Sequence, residues 1–388
     1  MTGIVGFVAI LVIFLAIIWY NLLRIKIVAR GLGFSVETKR AGVLSVLVGG
    51  VLLVLFCMIW NLGAIAALHF FGFTIVADLL WWIGRKVVRY QNQKSQLKKA
   101  HRVNRILLRR LHDLGIVPLL LTVLVFIYGY YNMMHVVETE YTVTTEKEIS
   151  ASREDGYEVA LLADLHYGVS LNQQQLQEMC DQISEKNVDL VVLGGDVVDE
   201  NTTKEQMKEV FSVLGTIKSQ DGIFFVYGNH DRQIYRRQRA FTEEELANEI
   251  TAQGISILQD KTYRMNNGIT LIGREDLSYT RNGERASLEK LLNDVGEEQY
   301  RLVLDHQPAD YKENKLANTD LILSGHTHGG QFWPANYLFE IFQFNDAVYG
   351  MTSWKDNNLK AIVTSGVAGW QYPIKTSAPA EYVIVHIK

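Results

Sequence analysis

Cysteine is scarce: the 388 residues contain two, Cys57 in an apolar run and Cys180 in a stretch with helical spacing. Two cysteines build no disulfide framework, and they exclude a sulfur-rich structural zinc site. Acidic side chains are scarce in the first third. Residues 1–131 hold 15 Lys and Arg against Glu37, Asp78 and Asp113, which leaves 23 basic and 39 acidic residues in 132–388. So acidic a remainder argues against nucleic acid as partner, because phosphate backbones are held by Lys and Arg. No protein partner is predicted either.

Polar faces are missing from four segments of the first third: Ile4–Tyr20, Ala41–Trp60, Ile65–Gly84 and Leu114–Tyr131. Each is near the ~20 residues that cross a bilayer, and a soluble core helix would show a polar stripe. Ile4–Tyr20 lacks a basic start and a small-residue cleavage site, so it reads as an anchor rather than a signal peptide. The loops after spans one and three carry the Lys and Arg, among them Arg24, Lys26, Arg85 and Lys86, and are therefore expected in the cytoplasm. Four crossings then place everything after Tyr131 on the extracytoplasmic side of a cell membrane. Within span three, His69 and Asp78 are expected to make packing contacts between spans rather than a proton path. Residues 101–112, with Val103, Leu107 and Leu111 among arginines, read either as a helix on the inner leaflet or as a solvated basic linker. The domains are then 1–131, a transmembrane region of about four spans; 132–157, a linker and first strand; and 158–388, a catalytic domain.

The later segments alternate apolar strands with helices. Leu171–Glu185, Thr203–Lys218 and Thr242–Gln253 have helical spacing, while Tyr141–Thr145, Thr262–Ile272, Ala361–Gly366 and Tyr382–Ile387 read as strands. The predicted fold class is α/β: a sandwich of two mixed β-sheets flanked by helices, preceded by the transmembrane helices. Five apolar strands end in chemistry-bearing residues. They lead into Asp164-Leu165-His166, Gly194-Gly195-Asp196, Gly228-Asn229-His230-Asp231, Asp305-His306 and Gly325-His326-Thr327-His328. The carboxyl ends of strands are where α/β folds keep their sites. Carboxylate, imidazole and amide oxygen suit divalent manganese, iron or zinc, and Asp196 can bridge two ions through its two oxygens. Two ions ~3.5–4 Å apart clamp a phosphoryl group in in-line displacement.

These five blocks, Asp164-x-His166, Gly195-Asp196-x-x-Asp199, Gly228-Asn229-His230-Asp231, His306 and Gly325-His326-x-His328, resemble the calcineurin-like metallophosphoesterases. The run Gly325-His-Thr-His-Gly-Gly-Gln331 is similar to that of the bacterial membrane-associated phosphodiesterase branch. The resemblance covers residues 164–328 and implies two divalent metal ions. Asp164, His166, Asp196 and His328 would hold one, and Asp196, Asn229, His306 and His326 the other, with manganese the first choice and iron or zinc the alternatives. It implies that His230 faces the substrate, stabilising the transition state or protonating the leaving oxygen, with Asp231 as its orienting partner. The attacking group would be a hydroxide between the ions. Asp199 is expected to support the site rather than to ligate, and Asp305 to point to the far side of its strand. Arg232, Arg236 and Arg274 are candidate substrate residues, because guanidinium groups bind phosphate.

The expected function is a membrane-anchored phosphoesterase acting on a phosphodiester or pyrophosphate of a lipid or envelope component. A broad phosphomonoesterase and a non-catalytic metal-sensing scaffold are the other readings. The intact His230 speaks against the scaffold, which needs ligands but no general acid.

Overall fold

A computed structural model describes residues 19–20, 22–34, 40, 43–44, 47–48, 51, 62–94, 102–151, 156–282 and 285–388. The first two expected spans fall almost wholly outside the described residues. The chain divides into two compact units, Met1–Ile127 and Tyr128–Lys388.

Among the described residues of the first unit, two helices are long and apolar enough to cross a membrane: α1 (Leu62–Lys94) and α3 (Ile116–Met134), the latter running on into the second unit. Between them α2 (Arg102–Asp113) carries the basic amphipathic stretch. Asp78 is the acceptor in a polar knot: Arg24 Nη1 and Tyr20 OH each lie 2.7 Å away, and His112 Nε2 2.8 Å away. The Trp81 ring stacks on His112 at 4.7 Å. A carboxylate with three partners is satisfied, which is the packing role expected of Asp78. His69 is buried, its Nδ1 2.8 Å from the Ile65 carbonyl of its own helix.

The second unit is an α/β sandwich. One sheet has the order β1-β12-β2-β3-β4-β5 and the other β10-β11-β9-β8-β7-β6. The first comprises β1 (Val137–Val143), β2 (Tyr157–Leu162), β3 (Leu190–Leu193), β4 (Ile223–Phe225), β5 (Ser256–Ile257) and β12 (Glu381–Ile387). The second comprises β6 (Lys261–Arg264), β7 (Ile269–Gly273), β8 (Tyr300–Leu304), β9 (Leu321–Ser324), β10 (Gly350–Ser353) and β11 (Lys360–Val363). Both sheets are mixed; β2, β3 and β4 run parallel, as do β7, β8, β9 and β11. These strands are covered on both faces, which is why they read as continuous apolar runs rather than alternating ones.

Alternate residues of the strands fill different layers. Val159, Leu161, Leu190 and Val192 pack between the sheets with Leu302, Leu304, Leu321 and Leu323. Ala160, Leu162, Val191 and Leu193 face helices α4 (Gln173–Glu185) and α5 (Lys204–Leu214), meeting Leu176, Ile183 and Phe211. On the outer face of the second sheet, Ile272, Val303 and Ile322 meet Leu288 and Leu292 of α7 (Leu288–Leu292) and Tyr311 of α8 (Tyr311–Leu316). α4, α5 and α6 (Glu243–Ala252) each start with a reciprocal capping box, at Asn172/Gln175, Thr203/Gln206 and Thr242/Glu245. Each box satisfies two otherwise unpaired backbone donors and sets where the strand-to-helix loop ends.

The stretch Thr262–Ile272, expected as one strand, is a hairpin of β6 and β7. The reversal falls at Asn267-Gly268, where Gly268 takes φ +93° and Asn267 Oδ1 accepts the Ile269 amide at 3.1 Å. Asn-Gly chemistry outweighs the β-branched residues around it.

Candidate metal centre

The loops that leave β2, β3 and β9 turn immediately, and the donor residues make the turns. Asp164, His166, Asp196, His326 and His328 all have positive φ, between 38° and 72°. Each such backbone costs on the order of 1–3 kcal/mol and persists because its surroundings over-determine it. Here the strand ladder continues past the strand ends: Asp164 N donates to the Gly195 carbonyl, His166 N to Asp196 and Gly325 N to His306, each at 3.0 Å. The turns then pack closely. A Cβ on Gly228 would lie 2.2 Å from Asp196 Oδ1, and one on Gly195 2.6 Å from the Gly228 nitrogen. Only glycine permits this approach.

Two groups of donors result, Asp164–His166–His328 and Asp196–His306–His326, with the donor atoms of each within 4.8 Å of one another. In the first, His166 Nε2 lies 3.3 Å from His328 Nε2, and His328 Nε2 3.8 Å from Asp164 Oδ1. In the second, His306 Nε2 lies 3.1 Å from Asp196 Oδ2 and 3.3 Å from Asn229 Oδ1, which is 2.8 Å from His326 Nδ1. The amide of Asn229 thus joins the second group. Asp196 faces both, but through one oxygen rather than the two expected: Oδ2 is 3.1 Å from His306 and 3.9 Å from His166, while Oδ1 accepts the His230 amide at 2.8 Å.

The donor chemistry fits two cations. His306 Nδ1 lies 2.8 Å from the Gly194 carbonyl and His328 Nδ1 3.2 Å from the Ala368 carbonyl, so in the neutral rings both Nε2 atoms present lone pairs. Those Nε2 atoms converge with the Asp196 carboxylate, the Asn229 amide oxygen and a second imidazole, a donor set that suits a divalent ion. The third histidine is held less tightly: His166 Nδ1 lies 3.5 Å from Asp199 Oδ2, a charge contact rather than a hydrogen bond, while Asp199 Oδ1 accepts the Asn201 amide at 2.7 Å. Electrostatics agree for two of the rings. Burial, then the charge of His306, pushes His326 down to about 3; burial, then His166 and Lys375, holds His328 well below the usual imidazole range, whereas at His306 burial is outweighed by the Asp196 carboxylate, which holds the pKa well above that range. His326 and His328 are thus kept as lone-pair donors, and His306 pairs with Asp196.

His230 stands at the edge of this cluster, its ring centroid 5.5 Å from that of His166 and 5.2 Å from the Trp370 ring. Its Nδ1 lies 2.6 Å from Glu200 Oε2. Burial opposes its protonation, but the charges of Asp196 and Glu200 prevail and raise its pKa to about 9. Asp231, expected to orient it, does not. Both Asp231 oxygens are taken by backbone amides: Oδ2 accepts from Gly228 at 2.6 Å and Asp196 at 2.9 Å, Oδ1 from Val197 at 2.9 Å and Val198 at 3.2 Å. Asp231 therefore ties the Asn229 turn to the Asp196 turn, because three stacked amides offer more than one imidazole N–H can.

Two of the three candidate substrate arginines are spent on the fold. Arg232 is buried, with Nη1 and Nη2 on the Glu275 carboxylate at 2.8 and 3.1 Å, Nε 2.9 Å from Glu243, and its plane between the rings of Tyr227 and Tyr279. Arg274 is buried too, 3.5 Å from Glu313. Arg236 is exposed and donates to the Glu200 carbonyl at 2.8 Å, beside the partner of His230. Asp305 is buried away from the donors and paired with Arg285 at 3.0 Å.

Sequence reading missed Glu200, Trp370 and Lys375. Buried Lys375 donates through Nζ to the Ser365 and Gly366 carbonyls, and Gly366 packs on Asp164, where a Cβ would lie 2.6 Å from that of the aspartate. The one available signal was Gly366-Val-Ala-Gly369 after the strand Ala361–Gly366, a glycine-bearing strand end with no ligating side chain of its own.

Residues 157–330 match the calcineurin-like phosphoesterase family. An uncharacterised metallophosphoesterase of Helicobacter pylori is 29% identical over 231 residues, covering 59% of this chain and 59% of the relative. One from Campylobacter jejuni is 26% identical over 291 residues, 75% of this chain and 73% of the relative. A protein of Danio rerio described as a transmembrane protein with metallophosphoesterase domain is 27% identical over 284 residues, 70% of this chain and 62% of the relative. The chain thus spans about three-fifths of the length of the Helicobacter relative.

Proposed function

We propose, from the premise that residues 157–330 belong to the calcineurin-like phosphoesterase superfamily, that this chain is a membrane-anchored, metal-dependent hydrolase of a phosphodiester or pyrophosphate in a lipid or envelope component. The observation that carries the reading is the single oxygen Asp196 Oδ2, which faces both donor groups, with His230 beside them. Two divalent ions held by these neighbouring groups would supply the charge neutralisation and activated water that phosphoryl transfer uses.

In this reading Asp164, His166, Asp196 and His328 would hold one divalent ion, and Asp196, Asn229, His306 and His326 the other, with manganese the first choice. Two such ions, when bound, acidify water and neutralise the charge of the phosphoryl oxygens. The chain's own residues do the rest. His230, whose proton is shared with the Glu200 carboxylate, offers it to the leaving oxygen. The Gly194 and Ala368 carbonyls fix the imidazoles of His306 and His328, so little reorganisation accompanies reaction. Arg236, exposed beside Glu200, is placed to meet an anionic head group.

The membrane part of the reading is supported by α1 and α3 and by the two apolar runs before them. Four spans with basic loops in the cytoplasm put the catalytic domain outside. Full-length protein in detergent with Mn²⁺ should hydrolyse a bis-aryl phosphate faster than a mono-aryl phosphate. A monoester preference would establish the phosphomonoesterase reading, and turnover of neither, with metal bound, the scaffold. A screen of lipid extracts then identifies the head group.

A further inference from the structure

The helix α9 (Ala335–Phe342) follows the metal loop directly, and none of its eight residues is buried. Its side chains are mostly apolar, with Glu340 its one charged residue. Ile341 is 71% exposed, Phe342 64% and the following Phe344 67%. Phe344 meets Phe339 and Phe342 edge to face or tilted, at 5.7 and 5.9 Å, so the exposed rings of Phe342 and Phe344 form one outward ridge backed by half-buried Phe339. A contiguous apolar ridge facing outward marks a surface that something else covers.

What covers it follows from its attachment. Asn132 in the last turns of α3 donates to the Lys375 and Ala378 carbonyls at 2.8 and 2.7 Å, and the Lys375 amide donates to the Gly129 carbonyl at 3.1 Å. Gly129 lies flat on Thr376, where a Cβ would sit 2.6 Å from the threonine methyl carbon. Thr376 Oγ1 in turn accepts the amide of Trp333, two residues before α9 begins. At its start α9 packs on the metal loop, where a Cβ on Gly330 would lie 2.4 Å from the Asn336 Cα. The end of α3 and the start of α9 are thus joined through one threonine. The 19 residues of α3, ~28 Å at 1.5 Å each, just cross a hydrocarbon core, so its last turn sits at the edge and residues 128–130 lie within about 9 Å of it. Tyr128, Tyr130 and Tyr131, all more than half exposed there, form the aromatic belt of that edge. An element fastened within a few residues of that edge is at the edge as well.

We propose that α9 with Phe344 is an interfacial docking element that lies in the bilayer surface and holds the metal centre against it, so that the substrate is reached while still embedded in the membrane. This rests on the reading of α3 as a membrane span.

The test uses the full chain in nanodiscs containing anionic lipid and a lipid nitroxide quencher placed near the acyl carbonyls. Single labels are placed at Leu124→Cys, Phe342→Cys and Glu178→Cys in a Cys57→Ser background, where buried Cys180, its thiol pushed up to about 12, stays unlabelled. Quenching of the labels at 124 and 342, but not at 178, is the expected result. Quenching at 124 with 342 no more quenched than 178 overturns the docking element and leaves the span standing. No quenching at 124 removes the span itself. The double variant Ile341→Asp, Phe342→Asp should hydrolyse a soluble bis-aryl phosphate at the original rate and a vesicle-borne diacylglycerol aryl phosphodiester about tenfold more slowly. An equal rate on both substrates overturns the proposal.

Discussion

His230 Nδ1 is 2.6 Å from Glu200 Oε2, while Asp231, its neighbour in sequence, turns both oxygens to backbone amides. Two acidic residues that a linear reading ranks the other way round thereby take different duties, one electrostatic and one architectural.

Glu200→Gln should lower kcat about 10- to 100-fold and leave two ions bound. The sign of its pH effect follows from the charge removed. Glu200 helps hold the proton on His230, so its loss lowers that pKa, and the alkaline limb of the kcat profile moves to lower pH. A limb that stays in place would show that His230 is not the acid.

His230→Ala should cut turnover by roughly 10²- to 10⁴-fold with metal content unchanged. Metal analysis of the purified variant alongside its rate is the check, since a parallel loss of metal would make His230 a ligand.

Asp231→Asn replaces an acceptor of four amides by a group with one acceptor oxygen. Each stranded donor costs about 1–3 kcal/mol, so the melting temperature should fall by several degrees and metal occupancy with it. Unchanged stability together with a slowed reaction would return Asp231 to the catalytic role.

Metal stoichiometry separates the two donor groups. Asp196→Ala removes the shared oxygen and should leave neither ion bound tightly, whereas His328→Ala should retain the ion of the Asn229 side. Mass spectrometry of the bound metal gives the count directly, and a wild-type protein with a single ion would contradict the pairing.

Arg232→Met should destabilise the fold by about 3–5 kcal/mol, because it leaves Glu275 buried beside Tyr227 without its bidentate partner. KM of the folded protein should not move. A raised KM with intact stability would restore Arg232 to the substrate.

The strand ends were legible in the sequence for a local reason. An apolar run buried on both faces has to stop where polar residues begin, and glycine beside Asp or His at that point announces a tight turn carrying donors. The register of β2, β3, β8 and β9 then brings those turns to one edge, so Asp164, Asp196, His306 and His326 meet although more than 160 residues separate the first from the last. Helix starts were visible as well, since Asn172, Thr203 and Thr242 act on amides three residues away, whereas α5 stops at Leu214 before Gly215, short of the expected Lys218.

Everything that depends on which distant side chain arrives first was decided by the tertiary structure. Glu200 rather than Asp231 reaches His230, because Asp231 falls beneath the amides of Val197 and Val198. Arg232 is claimed by Glu243 and Glu275 before any ligand can claim it, and Lys375 is drawn under Asp164 by a loop fastened to Asn132. What the sequence by itself determined was the set of donors and the turns that present them, because those rest on neighbours along the chain. The single shared oxygen of Asp196, the partner of His230 and the fate of each arginine required the fold, because hydrogen-bond competition is settled only when separate loops occupy the same few ångströms.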